Sequence, residues 1–535
     1  MKYLFITGGV LSSLGKGITA ASLAMLLENR GLVCAMLKLD PYLNVDPGTM
    51  NPFQHGEVYV TEDGAETDLD LGHYSRFTNA KISQSTNVTS GQIYDRVIKR
   101  ERQGDYLGQT IQVIPHITDE IKSRIESLKG DIALIEIGGT VGDIESLPFL
   151  EAIRQFRLKR PQDCLNIHLT HVPYLEAAGE LKTKPTQHSV QLLRSIGIIP
   201  DMIVTRSKKA LPLEIKEKIS LFCSVPVENV IDEPDVAKSI YEVPLSLKEH
   251  HLDETVCRLL KIDANPHSLK EWEAMIQRIK NPKGTVTIGL VGKYVEHQDA
   301  YKSVVEALIH GGISENLKVD ILQIESSDLD LNKLKKCQGI LVPGGFGERG
   351  FEGMVQAAAY CRKNKVPYFG ICLGMHVLSV EFARELGLKK AHTTEIDKQS
   401  PDPVICLLSE QAQVTELGGT MRLGSYPCTL KPGSQVLSIY GKDLIQERHR
   451  HRYEFNSFYR SLFESNGMEI TGVLEADQLP EIIEYKNHPW MIAVQFHPEF
   501  NSKPLSPHPL FRDFIKNAHH LNRTIWDDSL ASTSV

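Results

Sequence analysis

The chain has 535 residues, of which 41% are hydrophobic and 24% are charged, and its formal net charge is −8. This length exceeds one ordinary hydrophobic core and predicts two or more globular domains. The negative balance gives no overall attraction to nucleic acid or to an anionic membrane, so neither is an expected partner, and local basic groups must hold any anionic ligand.

The nine cysteines are scattered along the chain and include no CxxC pair. They follow no secretory segment, so we expect neither a disulfide framework nor a structural zinc site, and the cytoplasm is the default location. No apolar run approaches the roughly 18 residues of a membrane span.

Short apolar runs alternate with helix-compatible stretches along the first half of the chain. The stretch 19–31 is rich in alanine and leucine and predicts a helix, and the runs that predict strands are 2–9, 34–40, 131–139, 165–172 and 201–207. This alternation predicts an α/β domain with a doubly wound parallel sheet.

The stretch Gly8–Gly17, "GGVLSSLGKG", nearly matches a phosphate-binding loop. The usual loop has glycine, four residues and then Gly-Lys-Ser/Thr, whereas here Val10 takes the place of the first glycine and Gly17 that of the hydroxyl residue. The loop nevertheless lies between a predicted strand and a predicted helix, which aims backbone N–H groups at phosphate with Lys16 as a point charge. The alternative is a glycine-rich turn with a surface lysine.

Phosphoryl transfer also requires Mg²⁺, and therefore carboxylates at strand ends. The segment "AETDLDLGHY" offers Asp68 and Asp70, and "LIEIGGTVGDIES" offers Glu136 after an apolar strand. The basic segment "LKTKPTQHS" places Lys182 and Lys184 before a helix that we expect to begin near Ser189, and these lysines suit an anionic substrate. Each segment taken alone is more commonly a solvent-exposed loop.

A polar stretch with two prolines interrupts the alternation, which then restarts. The stretch predicts a linker at 263–284 between an amino-terminal domain at 1–262 and a second domain at 285–526, with a flexible tail at 527–535. Apolar runs at 319–326, 339–345, 366–374 and 491–500 predict a second α/β domain.

Cys372 lies in the segment "FGICLGM" directly after the predicted strand. Gly370 and Gly374 permit a tight strand-to-helix turn, and a helix N-terminus favours the thiolate, so the pattern predicts the sulfur version of a nucleophile elbow. The upstream segment "LVPGGFGERG" supplies N–H groups for an oxyanion hole. A buried structural cysteine would not need these glycines.

The segment "VQFHPEF" contains His497 and Glu499. Pro498 favours an extended backbone at His497, and residues two apart on an extended chain share a face. Glu499 is therefore expected to orient the imidazole while it takes the thiol proton, which predicts a Cys-His-Glu triad.

"PGGFG", "GICLGM" and "FHPEF" resemble the class I glutamine amidotransferases, and "TGGVLSSLGKG", "TDLDLGHY", "GGTVGDIES", "KTKPTQ" and "RHRHRYEFN" in addition resemble the CTP synthase family. The resemblance extends from Lys2 to about Trp526. It implies a synthetase domain similar to dethiobiotin synthetase with a modified phosphate loop, followed by an amidotransferase domain. It also implies that ATP phosphorylates the 4-oxygen of UTP and that ammonia from glutamine then displaces phosphate to give CTP.

The resemblance carries nucleotide sites over to this chain, with Mg²⁺ as the expected metal. Asp70 and Glu136 match its ligands. The positions that match ATP contacts are Ser13, Leu14, Gly15, Lys16, Gly17, Ile18, Lys38, Asp70, Asp235 and Val236. Those that match UTP or inhibitory CTP contacts are Ser12, Asp143, Ile144, Glu145, Lys182, Thr183, Lys184, Pro185, Thr186, Gln187 and Lys218.

The resemblance likewise implies a glutamine site, GTP as an allosteric activator, and a homotetramer built as a dimer of dimers that can stack into filaments. The positions that match glutamine contacts are Gly345, Leu373, Gly374, Met375, His376, Glu395 and Arg452. Many members have Gln where this chain has His376, so one contact near the glutamine pocket differs. Arg422 falls in the segment that matches a mobile lid.

Two other interpretations of the sequence stay open. One is another ATP-dependent amidotransferase, such as a cobyrinate amidase that activates a carboxylate, although such an enzyme is expected to lack "KTKPTQ". The other is a nucleotide-dependent assembly protein with a relic glutaminase, which the presence of Cys372, His497 and Glu499 disfavours.

Overall fold

A computed structural model describes residues 1–51, 55–266, 268–293, 297–411 and 418–532. The chain divides into two compact units. The first unit comprises Met1–Pro47 and Asp70–Ile276, and the second comprises Gly48–Leu69 and Gln277–Val535. The grouping of Gly48–Leu69 with the second unit is not apparent in the sequence, which predicts one continuous domain over 1–262.

The first unit is built on a parallel sheet, to which the described residues contribute seven strands. Their order across the sheet is Val230–Pro234, Met202–Ser207, Cys164–His171, Lys2–Gly8, Ile132–Ile137, Cys34–Asp40 and Asn87–Thr89. All neighbouring strands run parallel. Strands buried on both faces read as continuous apolar runs, which is why the sequence identified most of them.

Helices lie between these strands and after the last of them, and the final helix extends beyond Ile276, where the first unit ends. Their bounds are Lys16–Asn29, Asp70–Phe77, Ser90–Gln103, Thr118–Glu126, Leu147–Lys159, Lys184–Ser195, Leu213–Cys223, Val243–Glu249, Leu252–Leu260 and Lys270–Lys280. The helix expected near Ser189 in fact begins at Lys184. Pro185 explains the earlier start, because proline is favoured in the first helical turn, where its missing N–H costs nothing.

The second unit has a mixed sheet, with nine strands among the described residues. The parallel part runs in the order Leu317–Glu325, Gly284–Gly292, Gly339–Val342, Tyr368–Ile371 and Met491–Val494. Antiparallel strands extend it in the order Leu479–Tyr485, Met468–Leu474, Arg422–Leu430 and Leu444–His451. The predicted α/β fold with parallel sheets is confirmed, while the antiparallel extension is an addition to it.

The helices of the second unit are Lys302–Glu315, Leu331–Leu334, Phe351–Asn364, Leu373–Glu385, Gln435–Tyr440, Arg460–Ser465 and Pro509–Ser532. The stretch expected as a linker, 263–284, contains the helix Lys270–Lys280. Of the tail predicted at 527–535, residues as far as Ser532 continue the last helix, and 533–535 lie outside the described residues. Within the described part of the chain, no helix is long and apolar enough to cross a membrane.

A small hairpin stands out within the segment Gly48–Leu69. Tyr59–Val60 pairs antiparallel with Glu66–Thr67, and both strands are buried. We call residues 59–67 the hairpin. It packs on the second unit: Arg450 binds Glu66 at 2.8 Å, and the Ser425 N–H donates to the carbonyl of Glu62 at 2.9 Å.

Candidate functional sites

The glycine-rich loop lies between the strand Lys2–Gly8 and the helix Lys16–Asn29. Val10, Ser13 and Gly15 all have positive φ values, of 81°, 55° and 99°. Such a backbone turns successive N–H groups inward and forms a concave anion site at a helix N-terminus. A β-branched residue at positive φ is strained, and strain of this kind concentrates at ligand-binding sites.

Asp70 explains why the loop departs from the usual pattern. A Cβ added at Gly17 would lie 2.3 Å from Asp70 Oδ1, so no side chain fits there without moving the carboxylate. Asp70 begins the helix Asp70–Phe77, which places its carboxylate against the start of the helix that follows the loop. The position that holds a hydroxyl residue in the usual loop therefore faces an acid here.

Lys38 lies at the centre of a buried charge cluster. Lys38 and Glu136 are paired on neighbouring strands, and Lys38 Nζ donates to Glu136 Oε1 at 2.8 Å. The same ammonium also donates to Asp70, and the Tyr74 hydroxyl donates to Glu136. Two of the predicted metal ligands and one predicted ATP contact thus come together at the carboxyl edge of the sheet.

The charges in this cluster shift one another's protonation. Burial raises the pKa of Asp70, but the positive charges of Lys38, His73 and Lys16 together outweigh it and lower that pKa to about 2. Burial is the dominant influence on Glu136 and raises its pKa despite Lys38. Burial lowers the pKa of Lys16, against the attraction of Glu136, and its Nζ donates to the Gly139 carbonyl at 3.0 Å.

Arg206 is a basic group beside the loop that the sequence analysis did not identify. A Cβ at Gly15 would lie 3.1 Å from Arg206 Nη1, so the guanidinium lies against the loop. It also binds Glu233 at 3.0 Å and Asp235 at 2.8 Å. The available signal was its position at the end of the strand Met202–Ser207, on the same sheet edge as the other site residues.

The predicted UTP-binding segment lies on the Lys184–Ser195 helix and the residues before it. Lys182 pairs with Glu180 at the surface, and Lys184 Nζ lies 5.8 Å from the Phe222 ring centroid. Phe222 belongs to the helix Leu213–Cys223, which also carries Lys218. The structure therefore puts these three lysines on adjoining elements. Ser12 and residues 143–145 are exposed, and Asp143 accepts a hydrogen bond from the Thr140 N–H at 3.1 Å.

No group of three or more His, Cys, Asp or Glu side chains suited to a metal occurs among the described residues. Asp70 and Glu136 nevertheless converge on one cation, the ammonium of Lys38. Mg²⁺ is commonly held by one or two carboxylates together with substrate phosphates. The pair fits that requirement.

Cys372 occupies a strained turn between the strand Tyr368–Ile371 and the helix Leu373–Glu385. Its φ is 50° and its ψ −99°. Both flanking glycines are sterically required: a Cβ at Gly370 would lie 2.6 Å from the Gly374 carbonyl oxygen, and one at Gly374 would lie 2.3 Å from that of Val342. The sharp turn predicted for a nucleophile elbow is present, and the first N–H groups of the helix follow Cys372 directly.

His497 and Glu499 form a buried pair, with Nδ1 of His497 2.7 Å from Glu499 Oε1. Residues Pro498–Asn501 form a 3-10 turn, so this contact does not arise from the extended backbone that we expected. Burial lowers the pKa of His497, but Glu499 and Cys372 outweigh it and raise that pKa to about 10. His497 Nε2 has no hydrogen-bond partner among the described residues.

Gln495 approaches the nucleophile from the same strand end. Its Nε2 lies 3.7 Å from Cys372 Sγ, and its Oε1 lies 3.0 Å from His376 Nε2. Burial lowers the pKa of His376 to about 4, so the neutral ring donates from Nε2 and turns the amide nitrogen of Gln495 toward sulfur. His376, a predicted glutamine contact, is thus placed behind Cys372.

A cavity of about 510 Å³ opens at Cys372 and His497. The predicted glutamine contacts that line it are Gly345, Glu395 and Arg452, whereas Leu373, Gly374, Met375 and His376 do not. Glu395 accepts from the Gly347 N–H at 2.7 Å, and Arg452 binds Gln411 at 2.5 Å and Thr420 at 2.8 Å.

Sequence reasoning missed a wall of this cavity that comes from the segment Gly48–Leu69. Gly48, Thr49, Met50, Glu57 and Val58 line it. The residues before and after this segment belong to the first unit, and nothing in the spacing of its own residues indicates that it belongs to the second. Arg422, in the segment that matches a mobile lid, is buried and binds Glu481 at 2.8 Å.

Comparisons with known proteins match the two halves of the chain to two families. Residues 2–262 match the family described as CTP synthase N-terminus, and residues 296–517 match glutamine amidotransferase class-I. A CTP synthase of Protochlamydia amoebophila is 60% identical over 527 residues, covering 96% of this chain and 97% of that protein. One of Aquifex aeolicus is 58% identical over 520 residues, covering 96% and 98%.

An α/β unit with a cysteine elbow and a His-Glu pair, preceded by an α/β unit with a phosphate loop, defines a glutamine-dependent ligase. Identity of this level over nearly the whole length is decisive for the family. The chain belongs to the CTP synthase family.

Proposed function

We propose that this chain converts UTP to CTP, with ATP as the phosphoryl donor and ammonia released from glutamine. The observation that carries the proposal is the presence of two complete sets of reactive groups in one chain of this family. Cys372, His497 and Glu499 serve the nitrogen donor. Lys16, Lys38, Asp70 and Glu136 serve the phosphoryl donor.

Glutamine hydrolysis begins at Cys372. Its sulfur attacks the amide carbon while His497 Nε2 holds the thiol proton, which it then gives to the departing nitrogen as the C–N bond breaks. His497 next takes a proton from water, which attacks the thioester and releases glutamate. Glu499 holds Nδ1 so that Nε2 faces sulfur.

Backbone N–H groups stabilise the oxyanion in this mechanism. Gly345 lines the cavity, and the first N–H groups of the helix from Leu373 have no acceptor within the helix. Leu373, Gly374 and Met375 therefore act through this backbone turn. Arg452 and Glu395 line the cavity and suit the carboxylate and ammonium of glutamine. His376 acts through Gln495.

The synthetase reaction takes place at the loop of the first unit. The N–H groups from Ser13 to Ile18 and the ammonium of Lys16 bind the ATP phosphates. Attack of the uracil 4-oxygen on the γ-phosphorus breaks its bond to ADP, and ammonia then displaces phosphate at carbon 4. Lys38 lies beside the phosphoryl group that is transferred. Asp235 and Val236 contact the adenine of ATP.

The triphosphate of UTP binds Ser12, the segment from Lys182 to Gln187, and Lys218. The helix that begins at Lys184 adds its positive N-terminal end to the lysine charges. Residues 143–145, Asp143-Ile144-Glu145, recognise cytidine when CTP inhibits the enzyme.

Mg²⁺ would be held by Asp70 and Glu136 together with ATP oxygens, and it would neutralise charge that develops during phosphoryl transfer. We also propose GTP as the activator of glutamine hydrolysis, a homotetramer as the assembly, and the cytoplasm as the location. The nine cysteines are all unpaired, in keeping with a reducing compartment.

The test is CTP formation by the purified chain. We expect CTP from UTP, ATP, Mg²⁺ and glutamine, detected by chromatography, and none when ATP or the nitrogen donor is omitted. Formation of an amidated carboxylate from another acceptor, without CTP, would contradict the proposal.

A further inference from the structure

Tyr59 of the hairpin joins two supports of the catalytic histidine. Its side chain is 1% exposed, and its hydroxyl accepts a hydrogen bond from Arg448 Nη1 at 2.7 Å while donating to the Phe500 carbonyl at 3.4 Å. These contacts span 389 and 441 residues of sequence. They lie within the second unit.

The first support is the backbone of His497, which Arg448 holds. The His497 N–H donates to the Arg448 carbonyl at 2.7 Å. The guanidinium of the same residue binds the Tyr59 hydroxyl and, at 3.0 Å, the Val60 carbonyl. Arg448 therefore holds the hairpin with its side chain and the catalytic backbone with its main chain.

The second support is the ring of His497. Phe500 stacks on the imidazole with centroids 5.4 Å apart and an interplanar angle of 18°. Tyr59 meets the other ring of this pair, that of Phe500, at 5.0 Å and 64°, an edge-to-face contact. The ring plane of His497 thus depends on a phenylalanine that Tyr59 holds by both ring and hydroxyl.

From these contacts we propose that Tyr59 is a positioning residue for His497, with Arg448 as its partner. One hydrogen bond to Glu499 holds Nδ1, so small side-chain torsions of His497 can still tilt the ring, weaken that bond and move Nε2 away from sulfur. Stacking on Phe500 and the bond from the His497 N–H remove that freedom. The inference rests on the proposed role of His497 and adds that Tyr59 and Arg448 hold that histidine in its catalytic orientation.

Removing the hydroxyl alone tests this role. Tyr59→Phe keeps the ring against Phe500 but loses both hydroxyl contacts, and Arg448→Lys keeps the charge but loses the planar fork. For each variant we expect kcat of glutamine hydrolysis to fall about tenfold, with KM for glutamine unchanged, because neither group is assigned to glutamine. The double variant should lose no more than the more severe single one, since both act through one contact.

Glu62→Gln is the matched control. Glu62 lies 3.7 Å from Arg448 and its side chain is 67% exposed, so removing its charge leaves the buried contacts intact and should leave kcat unchanged. CTP formation from added ammonia shows whether the first unit is folded, and it should stay at the wild-type rate in all four variants. The rate at which iodoacetamide alkylates Cys372, followed by mass spectrometry, should fall in Tyr59→Phe but not in Glu62→Gln.

A wild-type kcat in Tyr59→Phe would overturn the inference, and so would a rise in KM at constant kcat or an equal loss in Glu62→Gln. Cys372→Ala separates this failure from that of the proposed function. If Cys372→Ala still hydrolyses glutamine, the nucleophile assignment itself is wrong. If it is inactive while Tyr59→Phe is normal, only the positioning role is wrong.

Discussion

The carboxylate of Asp70 fills the space into which a side chain at Gly17 would project, since a Cβ there would lie 2.3 Å from Oδ1. Two features that look unrelated in the sequence are therefore one structural solution. Gly17 lacks the hydroxyl that the usual phosphate loop has at this position. Its missing side chain leaves room for the Asp70 carboxylate beside the first turn of the helix Lys16–Asn29. That carboxylate also pairs with Lys38, which holds it in its ionised form.

Restoring the usual loop residue should therefore damage the enzyme. We expect Gly17→Ser to displace Asp70 and to lower CTP formation about a hundredfold with glutamine and with ammonia alike, because small displacements of positioned groups cost this much. Glutamine hydrolysis by the same preparation should persist. Gly17→Ala is the comparison, since it adds the Cβ without the hydroxyl. Near-normal CTP formation by either variant would contradict the account of Asp70.

Cys372→Ala tests the division of labour between the two sites. Because the change is small, keeps both elbow glycines and lies in the other unit, the phosphate loop should be unaffected. Glutamine should cease to support CTP formation, while added ammonia should still do so. The ammonia-dependent rate should be higher at about pH 8.5 than at about pH 7, because the fraction of unprotonated ammonia rises toward its pKa of about 9.

The control for Cys372→Ala is a buried cysteine outside the site. Cys361→Ala lies in the same unit and removes a sulfur that is fully buried. It should keep glutamine-dependent activity. If a well-folded Cys372→Ala protein forms CTP from neither glutamine nor ammonia, the assignment of two separable reactions is refuted.

The Glu499 carboxylate should set the pH range of glutamine hydrolysis. Burial alone would lower the pKa of His497, and Glu499 together with Cys372 raises it to about 10. The imidazolium that protonates the leaving nitrogen is therefore present below about pH 10 and lost above it. Glu499→Gln removes one of the two negative charges, those of Glu499 and Cys372, that raise the pKa of His497. The pKa of His497 should therefore fall, and the basic limb of the kcat/KM profile should move to lower pH. Measured profiles with the same basic limb in both proteins would show that Glu499 does not act on His497.

The parallel strands and both nucleophilic and phosphate-binding turns could be predicted from sequence because they depend on local patterns. The strand Cys34–Asp40 begins with four apolar residues, 34–37, and Gly370 and Gly374 mark the elbow by their spacing alone. The family resemblance supplied the remaining site positions. None of these inferences required knowledge of contacts between distant segments.

Contacts between distant segments account for what the sequence did not predict. The Arg448–Tyr59 contact joins residues 389 positions apart, and no local pattern marks the hairpin as part of the second unit. Arg206 reaches the phosphate loop only because the sheet order places its strand end nearby. The antiparallel strand Leu444–His451 is partly buried but rich in charged and histidine residues. A search for apolar runs therefore does not detect it.

The last prediction concerns the triphosphate pocket, in which substrate and product should compete. Lys184 is the first residue of its helix, so in the proposed site its ammonium and the helix N-terminus would act on the same phosphate groups. We expect Lys184→Ala to raise KM for UTP and the inhibition constant of CTP by the same factor, about tenfold or more, because charge-assisted hydrogen bonds are worth about 1.5–3 kcal/mol. KM for ATP should not change. Lys208→Ala is the control: Lys208 lies in the same unit and pairs with Glu176 at 3.0 Å on the surface, so its loss should alter neither constant. Initial rates at several UTP and CTP concentrations give both constants. A raised KM for UTP with unchanged inhibition by CTP would show that the two triphosphates bind at separate places.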